Sequence, residues 1–203
     1  MKAWKYLAVV VALYPVNLMA SDFGYYFKFG TGKASVEHPH FTRSVTAGDG
    51  SQTTETGIAE KVSSSTLTYG AGVELGRSFS VELGRIDSVR IRINGKKVKS
   101  QGEVDFDYLL ANTTFNVSDR VSLKLGAGVS RWKTQEMADV GSSITYEKRT
   151  PVSGNSPLVR LGADYATFLG KAMSGNLGLY YYYGFDQDYP HQAAQLEYSV
   201  YFR

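Results

Sequence analysis

Ten ionisable side chains fall on one parity of the alternating segments in this sequence: Lys28, Glu74, Glu82, Glu103, Asp105, Asp107, Lys124, Arg160, Asp164 and Glu197. Seven acids and three bases turned to one side of a sheet support two kinds of chemistry. They can close on one another as hydrogen-bonded ion pairs, or they can line a narrow water path that prefers cations. The packed network is the expected one, because an interior built from about eight strands has room only for its own side chains. A second cluster is basic. Arg85, Arg90, Arg92, Lys96, Lys97 and Lys99 surround Asn94-Gly95, with Asp87 the one acid among them. Arginine forks and lysine point charges suit phosphates and acidic polymers, so this cluster is placed to touch lipopolysaccharide, or it keeps a strand edge soluble.

The remaining candidates are histidines. His38 and His40 form a His-x-His pair in a loop, but no third ligand is near in sequence, so no metal is expected there. His191 lies close to Asp186 and Asp188, yet no serine is tied to it by spacing and no esterase-like motif occurs. No catalytic residue, metal site or cofactor is therefore assigned, and the chain is not expected to be an enzyme.

The elements that must position these groups have period two. Eight segments of about ten residues alternate: Phe23 to Lys33, Ser65 to Leu75, the run from Phe79, Glu103 to about Phe115, Val121 to Trp132, Leu158 to Phe168, Asn176 to Phe185 and Ala193 to Phe202. One face is aliphatic and aromatic, as in Leu123, Leu125 and Ala127. The other carries nearly all the strand glycines and ionisable groups. A charge facing hydrocarbon costs about 2–4 kcal/mol at mid-bilayer, so the apolar face is the outer one. The expected fold is all-β: a closed antiparallel up-and-down transmembrane barrel of about eight strands. A water-soluble barrel would have the two faces exchanged.

Asn94-Gly95 is the strongest two-residue hairpin signal, and a two-residue turn fixes register. It sets Ile93 opposite Lys96, and, continued down the strands, Leu83 opposite Phe106, Val81 opposite Tyr108 and Phe79 opposite Leu110. Connections alternate in length: 76–78, 116–120 and 169–175 are short, while 34–64 and 133–156 are long and polar. Aromatic residues at segment ends read as interface girdles, with Phe23, Phe79, Phe115, Phe168 and Phe202 at the short-turn end and Phe29, Trp132 and Phe185 at the other.

Composition agrees. The 203 residues include 21 Gly, 15 Tyr and 10 Phe, with no cysteine, so no disulfide framework is needed. Residues 1–20 read as a cleaved signal peptide: Lys2 and Lys5, an apolar run from Tyr6 to Met19, then Ala20. Residues 21–203 are then the barrel domain. Of 22 basic residues two lie in the leader, leaving 20 against 19 acidic, a balance that implies no nucleic-acid partner. No later stretch is apolar enough for a helical span.

Two stretches carry a resemblance. Thr68-Tyr-Gly-Ala-Gly-Val-Glu-Leu-Gly-Arg-Ser-Phe-Ser-Val-Glu-Leu-Gly84 resembles the second hairpin of the OmpA-like outer-membrane β-barrel superfamily, and Ser122-Leu-Lys-Leu-Gly-Ala-Gly-Val129 its fifth strand. Leu196-Glu-Tyr-Ser-Val-Tyr-Phe202 is similar to the C-terminal signal read by the barrel-assembly machinery, although Arg203 follows the aromatic residue here. The resemblance implies a small monomeric barrel of the OmpA or OmpX type in the bacterial outer membrane, with both termini periplasmic. Its partners would be outer-membrane lipid and lipopolysaccharide, the assembly machinery and a host or surface ligand. Its function would be structural or adhesive, through extracellular loops; the alternatives are the cation-preferring pore and a lipid A-modifying enzyme.

Overall fold

The computed structural model describes residues 23–37, 40–46, 51–58, 61–76, 78–89, 92–93, 96–97, 103–135, 152–170 and 172–202. Residues 1–22, His38, Arg90, Asn94-Gly95, Lys99 and most of the long connection after residue 135 lie outside them. Among the described residues twelve strands run in chain order: β1 (Phe23–Glu37), β2 (His40–Thr46), β3 (Gln52–Ile58), β4 (Lys61–Leu75), β5 (Phe79–Ser88), β6 (Arg92–Ile93), β7 (Lys96–Lys97), β8 (Glu103–Asn116), β9 (Val121–Gln135), β10 (Val152–Leu169), β11 (Met173–Gly184) and β12 (His191–Phe202). Eight of them close into an antiparallel barrel in the order β1-β12-β11-β10-β9-β8-β5-β4. Closure leaves the wall no edge, so each of its eight strands finds partners on both sides.

The wall follows the alternation. Leu83 is 66% exposed, Leu179 65% and Phe29 61%, whereas Tyr26, Glu82 and Tyr182 behind them are 0–1% exposed. Partners traced around the barrel from Tyr25 through Val73, Val81, Ala111, Ala127, Val159, Tyr183 and Gln192 return to β1 at Ser35, a stagger of ten residues. A stagger of that size tilts the strands strongly, as closing eight of them requires. Three short turns mark one end, and both β1 and β12 have their outer ends there. Gly76 makes the first with a φ of 78°, a conformation side chains disfavour. At the second, Ser118 Oγ accepts the amides of Arg120 and Val121 at 3.3 and 3.1 Å.

Glycines on the inner face make room for aromatic rings. Tyr26 lies over Gly72, Tyr108 over Gly84 and Tyr180 over Gly162, each where a Cβ would collide with the ring. A narrow barrel can be filled this way by large residues facing small ones.

The register from the Asn-Gly turn is corrected in the wall. At the tip Arg92 pairs with Lys97 and Ile93 with Lys96, as expected. Lower down the strands, however, Phe79 pairs with Thr113, Val81 with Ala111, Leu83 with Leu109 and Ile86 with Phe106. The offset from the expected partners is three residues, and because it is odd it reverses which side chains of β8 point inward. The wall register persists as far as Ser88, and the change to the tip register falls between it and Arg92, largely outside the described residues. The Ser88 hydroxyl accepts the amide of Val104 at 2.6 Å and donates to the carbonyl of the same residue at 3.0 Å, while its own amide donates to Asp105 Oδ1 at 2.9 Å. Side-chain bonds thus replace ladder bonds where barrel and tip meet.

Phe106, Tyr108 and Leu110 consequently face the interior, and Asp107 and Leu109 face outward. The strands also run further than the alternation predicted. β1 reaches Glu37, β4 starts at Lys61 and β10 at Val152, and the first long connection contains the ladder of β2 on β3, from His40 opposite Ile58 to Thr46 opposite Gln52. In this extension the sidedness inverts. Val36, Val62, Ile86, Val104, Phe106, Trp132 and Leu158 form a buried apolar cluster inside the loop end of the barrel. Trp132 belongs to it at 1% exposure and is no interface girdle. Phe106→Ala is expected to cost about 3–5 kcal/mol in urea unfolding from lipid vesicles, as for a buried aromatic, and Leu109→Ala far less; equal losses would restore the register of the Asn-Gly rule.

Candidate functional site

The interior is built around Glu82, which β5 carries inward opposite Gly72 and Leu110. Arg160 on β10 reaches it through Nη1 at 2.7 and 2.8 Å to the two carboxylate oxygens. Lys28 on β1 lies 2.6 Å from Oε1, and Tyr26 donates its hydroxyl to Oε2 at 2.7 Å. Lys28 also holds Glu197 on β12 at 2.8 Å and donates to Tyr182 at 2.7 Å, and Tyr182 donates to Glu197 at 2.6 Å. Nearer the turn end Lys124 pairs with Asp164 at 2.9 Å and donates to Tyr201, while Tyr180 donates to Asp164. The rings add attraction for the cations, with the Arg160 guanidinium 4.7 Å from the Tyr180 centroid and Lys124 Nζ 5.0 Å from that of Tyr201.

Six of the ten inward ionisable residues read from the sequence therefore meet in two connected groups, and their charges match: Lys28, Lys124 and Arg160 against Glu82, Asp164 and Glu197. Two of the ten are corrected. Asp107 is exposed on the outer face, bonded to Arg85, and Asp105 is half-buried beside Ser88, because the shifted register turns this parity of β8 outward. Their charge is tolerated since they lie beyond the apolar belt, where Arg85 and Asp87 are also outward. Glu103 is buried close to the loop end, and Glu74 is half-buried near the first turn. The acid excess that favoured a cation path is thus absent from the middle of the barrel.

The interior is also sealed. Lys28, Glu82, Arg160, Tyr182 and Glu197 are all at 0–3% exposure, and the apolar cluster closes the loop end above them. Between the two zones, Gln195 accepts from Thr68 at 2.9 Å and donates to Thr66 at 2.8 Å. The tyrosines and this amide share the parity of the inward ionisable or glycine residues on their strands, but local spacing gives no sign of their pairing, which joins residues as far apart as Lys28 and Tyr182, 154 positions.

His191, two residues before the last segment read from the alternation, is the first residue of β12. Its Nε2 lies 3.0 Å from Ser130 Oγ and 3.3 Å from Ser156 Oγ, so two serines distant in sequence do contact it. Nδ1 faces the Tyr189 carbonyl at 3.4 Å, whereas Asp186 accepts from Trp132 Nε1 at 3.3 Å. Among the described residues no carboxylate bonds to the ring, and the ring is fully buried, packed on Phe106, Trp132 and Gly184. That geometry fastens the loop end and gives a substrate no approach to the serine hydroxyls. No group of three metal-binding side chains occurs among the described residues; His40 lies on β2, and His38 is outside the description.

Outside, the basic cluster divides. Arg85 is held by Asp107 at 3.1 Å and Asp87 at 3.2 Å, so its charge is matched on the barrel wall. Arg92, Lys96 and Lys97 lie on the β6–β7 ladder, and Arg90 and Lys99 flank it in sequence. Removing the shared acid should test the interior directly: Glu82→Ala leaves Arg160 and Lys28 short of a counter-ion and is expected to lower stability by about 3–5 kcal/mol, read from urea titration of the folded barrel. A loss below about 1 kcal/mol would mean that the network contributes little.

No family model matches the chain, and no curated protein matches it. Solved structures do. Ail, the attachment invasion locus protein of Yersinia pestis, crystallised with the heparin analogue sucrose octasulfate, superposes with a TM-score of 0.52 at 12% identity, covering 89% of this chain and 99% of that one. A second crystal structure of Ail gives 0.50 at 14% identity with the same coverage. The N-terminal β-barrel domain of Pseudomonas aeruginosa OprF gives 0.48 at 11%, covering 88% and 97%. With its closed wall, apolar outer belt and sealed interior, this chain has the fold of the small eight-stranded outer-membrane barrels of the OmpA and OmpX type.

Proposed function

We propose that the protein is an integral bacterial outer-membrane barrel that acts by surface interaction, holding loops above the membrane on a stiff extension of its own wall. The observation that carries this is the inversion of sidedness. Up to Leu83, Leu109 and Val129 the outward residues are apolar; beyond them come Arg85, Asp107 and Arg131, and the interior turns from ionic to apolar. A barrel confined to the bilayer has no use for that second zone. Here it extends the strands past the lipid and fixes where the connections between β1 and β4, β5 and β8, and β9 and β10 begin.

The leader is cleaved after Ala20, the C-terminal strand is recognised by the assembly machinery, and the short turns and both termini face the periplasm. The protein works as a monomer. The β6–β7 ladder of Arg92, Lys96 and Lys97, with Arg90 and Lys99 adjacent in sequence, suits a polyanion, and Ail, which shares the fold, was crystallised with a heparin analogue. An acidic surface polymer is accordingly the partner class favoured, reached by long-range attraction and sensitive to salt. The sealed interior supports neither steady conduction nor lumenal catalysis.

Two measurements check this reading. Cells displaying the chain should adhere to heparin-coated surfaces, and deletion of residues 38–60 or 134–155, or neutralisation of the five tip cations, should reduce adhesion several-fold with the barrel still folded. Undiminished adhesion in all three variants would remove the surface role. In planar bilayers the purified protein is expected to pass no steady current, and a stable cation current would favour the pore instead.

A further inference from the structure

We infer that the outer face of β9 and β10 holds a site for the phosphate of a membrane-anchored lipid, formed by Arg131 and Lys133 with Asn155 and Ser153. The inference rests on the outer-membrane reading above and adds a binding site to it. The antiparallel register sets Arg131 opposite Asn155, Lys133 opposite Ser153 and, one step toward the turn end, Val129 opposite Pro157. Two cations and two neutral hydrogen-bonding side chains thus form a block directly above an apolar pair, and the lipid-facing Leu125, Leu161 and Val159 continue below it.

The charges in this block are available. Arg131 and Lys133 are exposed, and among the described residues neither has a hydrogen-bonding or ionic partner. Acids do stand beside them, since Asp107 pairs across to Arg131 and Asp105 to Lys133 in the β8–β9 ladder. Both acids are engaged elsewhere, however. Asp107 holds Arg85 at 3.1 Å, and Asp105 accepts the Ser88 amide at 2.9 Å. On the other flank, β10 from Val152 to Pro157 contains no charged residue at all. Open cations on one side, neutral donors on the other and an acyl-chain surface beneath match one ligand chemistry: an anionic headgroup whose chains lie against Val129, Pro157 and the belt. A soluble anion would make no use of the apolar half. Arg85, which the sequence grouped with lipopolysaccharide contacts, is already neutralised and contributes little.

The test uses the full chain, folded in neutral detergent, and compares wild type with the Arg131→Gln/Lys133→Gln double variant. Lys33→Gln, an exposed cation on β1 away from the block, is the control, and retained heat-modifiable mobility on gels confirms that each variant is folded. The probes are diphosphorylated lipid A, lipid A lacking phosphate, phosphatidylglycerol and inorganic phosphate, with affinities read by native mass spectrometry at two salt concentrations. Wild type is expected to prefer phosphorylated lipid over its dephosphorylated form about ten-fold or more, and the double variant to lose that preference and its salt dependence. Lys33→Gln should behave as wild type. Lipid A binding more tightly than phosphatidylglycerol would locate the phosphate on lipopolysaccharide; the reverse order would locate it on a phospholipid, with the site intact. Equal binding by wild type and double variant, or inorganic phosphate binding as tightly as the lipids, would overturn the proposal. A protein that fails to insert into vesicles would contradict the membrane reading instead, so the two failures are distinguishable.

Discussion

A backbone amide in hydrocarbon has no water to bond, so a strand can cross a bilayer only if its neighbours on both sides satisfy it. In this chain that condition is met by the pairing of the first wall strand with the last. β1 is zipped to β12 from Tyr25 to Val36 on one side and to β4 from Phe23 to Glu37 on the other. Closing with eight strands sets the bore, and the bore sets what the inside can be. Tyrosines seated on glycines, three cations and three carboxylates fill the middle so closely that the ionic groups are nearly unreachable by water. Replacing such a buried network by well-packed apolar residues is often neutral or stabilising, so the network is better read as fixing one arrangement of the interior than as the source of the barrel's stability.

The wall outlasts the belt, and the rule that sorts side chains changes with its surroundings. Against lipid, charge must point inward. Beyond it, water is outside again, and the barrel returns to the order of a soluble β-protein, with Val36, Ile86, Phe106 and Trp132 inside and Lys33, Arg85, Asp107, Arg131 and Lys133 outside. His191 sits within this second zone, clasped by two serines and stacked on aromatic rings, where it fastens the start of β12. The result is a wall that continues past its apolar-belted part and from which the long connections start.

Most of the fold was legible in the sequence because period-two alternation is strong wherever lipid enforces it. Eight strands, the short turns and the inward set Lys28, Glu82, Lys124, Arg160, Asp164 and Glu197 all follow from parity alone. The misreadings fall where that enforcement ends. Asp105 and Asp107 were placed inside by a rule about charge in hydrocarbon, applied to positions above the hydrocarbon. The β5–β8 register was carried down from Asn94-Gly95 as though the ladder were unbroken, whereas wall and tip keep registers three residues apart. Trp132 reads as an interface aromatic by its place at a segment end, and only the extension of β9 to Gln135 shows that it packs inside. The contacts of His191 with Ser130 and Ser156 join residues 61 and 35 positions apart, and nothing in local spacing signals them.

The central claim, that lipid covers the odd positions of β8 only as far as Leu109 and that water covers those beyond, is tested most directly by a spin-label scan along this strand in lipid vesicles. Labels at 109, 111, 113 and 115 should be reached by oxygen and shielded from a water-soluble nickel relaxant, and labels at 105 and 107 should show the opposite. Labels at 104, 106, 108 and 110 should be reached by neither. If the relaxant reaches the whole odd series, or if the protein stays in solution without detergent or lipid, the account is contradicted.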